Sequence, residues 1–133
     1  MKSLFQKLKF ENQEEILILN EPPGFSEELA ELVNIEIYQS VIQINKVEFA
    51  LIFVTTIDEL EKQLDTVLHK LKEDAILWIA HPRKVSDNLF TDITDQYHWK
   101  PLLDKCYENV GHLTVNDDWE AERFRRSEYI KCK

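Results

Sequence analysis

Three short runs constrain this chain more than any other feature, because they are apolar almost without a break. They are Ile16-Leu17-Ile18-Leu19, Phe49-Ala50-Leu51-Ile52-Phe53-Val54 and Ala75-Ile76-Leu77-Trp78-Ile79-Ala80. A strand with one face in water places a polar residue at every second position, and these runs do not. They read as strands covered on both faces, which implies a central, mostly parallel sheet. Such a sheet requires helices above and below it.

The intervening segments supply helical patterns. Ile57, Leu60, Leu64, Val67, Leu68 and Leu71 recur at three- and four-residue spacing, with acids and lysines on the other face. Thr56 and Glu59 form a capping box at the start of this helix. A shorter helix is expected after Ser26, with Glu27 and Glu28 in its first turn and Leu29, Leu32 and Val33 on its apolar face. Leu4, Phe5 and Leu8 suggest a covering helix near the start. Ile35, Ile37, Val41, Ile42 and Ile44 suggest an edge strand and a short connection. A polar loop is expected over His81 to Asp87, with helical material from about Asn88 to Tyr107. Pro101 cannot lie deep inside a helix, so a second one begins at about Lys100.

The tail changes character. Val110 to Val115 and Glu120 to Ile130 read as strands joined by the turn residues Asn116-Asp117-Asp118. With strands numbered along the chain, right-handed crossovers and a terminal hairpin give the expected order 2-1-3-4-6-5. This is a three-layer α/β layout with a C-terminal antiparallel hairpin, the outline of a truncated class I methyltransferase fold. A layout by itself licenses no activity.

The 133 residues are expected to form one domain, residues 1–133. A formal charge of −9 argues against nucleic acid as a partner. Cys106 and Cys132 show no metal-type spacing and fit a reduced, cytoplasmic protein of bacterial kind. The first residues are too polar for a signal peptide, and no apolar run approaches the length needed to span a bilayer.

In an open parallel sheet, ligands bind beyond the carboxyl ends of the strands. Those ends carry Asn20-Glu21-Pro22-Pro23-Gly24-Phe25, Thr55-Thr56 and His81-Pro82-Arg83-Lys84-Val85-Ser86. Sites for nucleotides or S-adenosylmethionine place several glycines after the first strand, so that backbone can approach the ligand. The whole chain has two glycines, Gly24 and Gly111, and the two prolines remove amide donors. Gly24 suits a type II turn after Pro23, and no cofactor is expected there.

Asn20, Thr55, His81, Arg83, Lys84 and Ser86 are the candidate ligand-binding residues, fit for a small anion. No metal site is expected, and no catalytic residue is assigned. Asp117 and Asp118 serve the turn more simply than they serve a cation, and Trp78 and Trp119 read as core. Arg123, Arg125 and Arg126 read as partners in ion pairs across strands. His69 is placed on an exposed or boundary helix face, His98 and His112 are isolated, and Cys106 is placed on an apolar helix side with Leu102 and Leu103.

The Leu19-Asn20-Glu21-Pro22-Pro23-Gly24-Phe25 strand end, the Leu77-Trp78-Ile79-Ala80-His81-Pro82-Arg83-Lys84 run and the Asp117-Asp118-Trp119-Glu120-Ala121-Glu122-Arg123-Phe124-Arg125 tail together resemble a family of small bacterial proteins of unknown function. The resemblance runs from about Glu15 to Arg125. It implies a methyltransferase-like shell and supplies no catalytic residues. Arg83 stands where that pattern has lysine, which keeps the charge and alters the donor geometry.

Two functions are open at this point. One is a non-catalytic binding or regulatory domain that takes a small anionic ligand or a protein partner. The other is an enzyme acting on a small anionic substrate, with Arg83 and Lys84 as clamp and His81 or Asp92 as acid or base. The second requires those side chains to converge with Asn20 and Thr55. The oligomeric state is left open.

Overall fold

The computed structural model describes residues 15–22, 25, 35–43, 45–84, 91–93, 97 and 99–131. The helices expected near the start and after Ser26, together with Gly24, Ser86, His98 and Cys132, lie outside the described residues. In chain order the elements are β1 (Glu15–Leu19), β2 (Glu36–Tyr38), a 3-10 turn (Val41–Gln43), β3 (Val47–Phe53), α1 (Ile57–His69), β4 (Leu71–Pro82), α2 (Lys100–Leu103), β5 (Tyr107–Thr114), β6 (Trp119–Arg126) and α3 (Ser127–Lys131).

The six strands form one sheet in the order β2-β1-β3-β4-β6-β5. The pairs from β2 through β4 are parallel, and β6 runs antiparallel to both β4 and β5. The expected order 2-1-3-4-6-5 and the terminal hairpin are therefore present.

The apolar runs divide by alternation between the two faces. Leu17, Leu19, Ala50, Ile52, Leu77, Ile79 and Phe124 pack against Leu60, Leu64 and Val67 of α1. Ile16, Ile18, Phe49, Leu51, Phe53, Trp78, Ala80, Trp119 and Ala121 form the core on the opposite face, where Phe25 joins them. Phe53 stands edge-on to both Phe25 and Trp119, with ring centres 5.0 and 5.1 Å away. Burial on both faces is what removed the polar alternation from the sequence.

Several local expectations are corrected. Leu71 belongs to β4 and not to the preceding helix, because Lys70 N–H closes α1 on Leu68 O and Val67 O and the chain then pairs with Val47. β4 runs on through His81 and Pro82, which were expected in a loop, because β6 supplies partners as far as Trp119. Beyond Ala80 that strand has only β6 beside it, and an edge position tolerates a proline.

The strand expected to reach Ile130 stops at Arg126, where pairing with β5 ends at Tyr107. The next five residues form α3, whose Ser127 gives both N–H and hydroxyl to Cys106 O. Cys106 itself is exposed in the turn before β5 with a φ of 67°, rather than lying on an apolar helix side. Leu103, its expected neighbour there, is exposed as well, while Leu102 is buried. The helix expected to begin near Lys100 does so, with Pro101 in its first turn, but it ends at Leu103 and not at Tyr107, where β5 begins, and the described residues from 91 to 99 are not helical.

Candidate functional site

Strand order locates the topological switch of the parallel part of the sheet. The chain leaves β1 for β2 on one side and returns to β3 on the other, so the crevice lies between the carboxyl ends of β1 and β3. Asn20 sits there in a left-handed conformation, φ 61°. Its Nδ2 donates to Phe53 O at 3.2 Å and to Gln63 Oε1 of α1 at 2.9 Å, so its side chain bridges the crevice. The following loop closes on itself through Phe25 N–H to Pro22 O at 3.2 Å, and the Phe25 ring is buried.

The amino end of α1 is provided with acceptors from within the chain. Thr56 Oγ1 accepts from Glu59 N at 3.1 Å, and Glu59 Oε1 accepts from Thr55 N at 2.7 Å. Asp92 Oδ1 accepts from Ile57 N at 2.8 Å across 35 positions of sequence. Thr55 and Asp92 thus act as parts of a helix cap.

His81 and Arg83 belong to a different neighbourhood. Arg83 N–H pairs with Asp118 O at 2.8 Å, and its guanidinium donates to Asp117 O at 3.3 Å, which ties the end of β4 to the hairpin turn. Lys84 is exposed, in the turn that follows. Asn116 Oδ1 accepts from Asp118 N and Trp119 N, so the turn is an Asx turn as its composition implied. Asn20 and Thr55 are therefore held at the switch point, His81 and Arg83 at the antiparallel end, and Ser86 is outside the described residues.

His81 is the buried polar side chain among the described residues, 6% exposed, with Trp99 tilted over it at 5.6 Å between ring centres. Its Nε2 lies 3.2 Å from Glu122 Oε2 and its Nδ1 4.0 Å from Glu120 Oε2. His112 of β5 completes the group, with Nε2 2.6 Å from Glu120 Oε1 and 3.6 Å from Glu122 Oε2.

Register explains the grouping. His81 is opposite Glu120 across β4 and β6, and His112 is opposite Glu122 across β5 and β6. A bulge between Asn109 and Gly111 shifts the alternation, so Asn109 also reaches this face and donates to Glu122 Oε1 at 3.0 Å. Sequence reasoning missed this cluster because His112 was judged by its neighbours in the chain. The usable signal was Glu-x-Glu on a strand between two histidine-bearing strands.

The arginines divide. Arg125 makes a two-pronged bond to Asp74, at 2.8 and 2.7 Å, and Arg126 pairs with Glu128. Asp74 reaches Arg125 from the irregular start of β4, where its φ is 50°. The Arg125 hydrogen bonds hold the Asp74 carboxyl below the usual carboxylate range. Arg123 is half-buried, its Nε has no hydrogen-bond partner, and burial lowers its pKa. Trp78 and Trp119 are core, and His69 is exposed at the end of α1.

No helix among the described residues is long and apolar enough to cross a membrane. No family model matches the chain, and no curated protein does. Solved structures do match. N-methyltransferase NodS from Bradyrhizobium japonicum WM9 aligns over 92% of this chain and 92% of its own, with a TM-score of 0.53 and 10% identity. The ribosomal protein L11 methylase from Lactobacillus delbrueckii subsp. bulgaricus aligns over 92% and 74%, with a TM-score of 0.56 and 8% identity.

Phosphoethanolamine N-methyltransferase 2 from Haemonchus contortus gives a TM-score of 0.55 at 13% identity over 93% of this chain. This chain spans only 35% of that enzyme's length. At such identities the likeness is one of architecture, and the architecture is a truncated class I methyltransferase-like α/β sheet.

Proposed function

We propose that this chain is a non-catalytic binding or regulatory domain on a methyltransferase-like shell, working in the cytoplasm. Its ligand is a small anion or a protein partner engaged at the carboxyl edge of the sheet, beside Arg83. One observation carries this reading: the Asn20 side chain spans the switch point from Phe53 O to Gln63 Oε1. A nucleoside entering that crevice would have to break both bonds. It would also meet a loop with few amide donors and a first helical turn already capped by Thr56 and Asp92.

The resemblance to small bacterial proteins without assigned substrates fits the same reading. The enzymatic alternative draws less support, since Asn20 and Thr55 are engaged with α1 while His81 and Arg83 are engaged with the hairpin.

The experiment is calorimetric titration of the full chain with S-adenosylmethionine and with S-adenosylhomocysteine. The expected result is no saturable heat for either at ligand concentrations up to about 1 mM, where even a weak site of −4 kcal/mol would half fill. Binding tighter than about 10 μM would overturn the proposal and make group transfer the reading to pursue.

A further inference from the structure

The cluster at the antiparallel end of the sheet raises a question of protons. His81 Nδ1 lies 3.3 Å from Pro82 O, a pure acceptor, so the ring proton that bonds there is on Nδ1. His81 Nε2 faces Glu122 Oε2 at 3.2 Å on the other side of the ring. His112 Nε2 meets the same carboxylate and that of Glu120 from β5. Among the described residues, the charge-bearing partners found at both carboxylates are these two histidines, with no lysine or arginine. Ligand atoms of His81, Glu120 and Glu122 all lie within 4.8 Å of one another, partly screened from water, and His112 meets both carboxylates from the edge strand.

We propose that His81, Glu120 and Glu122, with the exposed His112 turning in as a fourth donor, form a site for one divalent transition-metal ion, with zinc as the best match. Imidazole and carboxylate donors suit ions of intermediate softness, and a 2+ charge neutralises the two carboxylates. A tetrahedral ion with bonds of about 2.0–2.1 Å has edges of about 3.3 Å. The His81–Glu122 and His112–Glu122 separations of 3.2 and 3.6 Å lie close to that length. The 2.6 Å from His112 to Glu120 is shorter, and His112, with 49% of its side chain exposed, has room to swing outward by the difference.

The surroundings match what ligating groups require. A metal-bound histidine donates its other N–H to a carbonyl or carboxylate, as His81 Nδ1 does to Pro82 O. A ligating carboxylate is held by a second donor, as Asn109 holds Glu122. Trp99 covers the buried histidine. This inference is independent of the proposed carboxyl-edge function.

The test uses the full chain, stripped with a chelator and dialysed, then titrated with zinc chloride by calorimetry and with cobalt(II) chloride by visible absorption. One ion per chain is expected, bound tighter than about 10 μM, with a cobalt ligand-field band free of thiolate charge transfer. Glu122→Gln and His112→Ala should each weaken binding by about tenfold or more. His69→Ala, at an exposed histidine outside the cluster, should leave it unchanged.

Absence of saturable binding, or affinity that survives both cluster variants, would overturn the site and leave simple imidazolium–carboxylate pairs. An equal loss in His69→Ala would also overturn it. If Glu122→Gln fails to fold by circular dichroism, His112→Ala on the open edge strand decides alone.

Discussion

The cap of α1 offers a direct test of whether polar groups at the switch point serve the fold or a ligand. Asp92→Ala removes the acceptor of Ile57 N–H, and Thr56→Ala removes the acceptor of Glu59 N–H. Each N-cap acceptor contributes about 1 kcal/mol, within a range of about 0.5–2. Asp92 also sets a negative charge at the positive end of the helix, which adds about 0.3–1 kcal/mol at low salt. The expected losses are therefore about 1 kcal/mol for Thr56→Ala and about 1.5 kcal/mol for Asp92→Ala.

The two acceptors serve different amides, so the double variant should lose close to the sum, about 2.5 kcal/mol. For a chain of this length that corresponds to a fall in Tm of roughly 8–12 °C. Urea unfolding followed by far-ultraviolet circular dichroism measures it, at low salt and again at high salt. The Asp92 loss should shrink in salt and the Thr56 loss should not. A double variant as stable as either single one would show that the two caps do not act separately. Variants no weaker than the parent would refute the structural role of both caps.

Two further outcomes follow from the core and the hairpin. Leu64→Ala, at a position 4% exposed between α1 and the sheet, should cost about 2–5 kcal/mol in the same unfolding assay. Asp74→Asn should destabilise the protein at neutral pH and progressively less in acid. The Asp74 carboxyl is held below its ordinary value mainly by its bonds to Arg125, so its contribution is complete above the unfolded pKa of about 3.9. That contribution is lost as pH falls through the lower folded value, so the two unfolding curves should converge there. A gap that stays constant with pH would show that the ion pair is not its source.

Much of the architecture was written in short stretches of sequence. Unbroken apolarity at Ile16–Leu19, Phe49–Val54 and Ala75–Ala80 implied a sheet buried on both sides, because a strand so composed has no face to give to water. Three- and four-residue spacing with Thr56 and Glu59 at its head located α1, and Pro101 located the start of α2. The shortage of glycine beyond β1 argued against a nucleoside site there, since close approach of backbone to ligand needs residues without a Cβ. All of these are local facts, set by neighbours within a few positions.

What tertiary structure alone decided depends on pairing across long loops. Asp92 caps a helix that begins 35 positions earlier, and Asp74 meets an arginine 51 positions later. His81 reads as a loop residue from its neighbours, yet β6 draws it into the sheet and buries it beside Glu120 and Glu122. The bulge near Val110 turns Asn109 and His112 to one face, although alternation by two would separate them. Register between strands is fixed by packing of the whole face, so no local pattern could bring His81 and His112 to the same two glutamates.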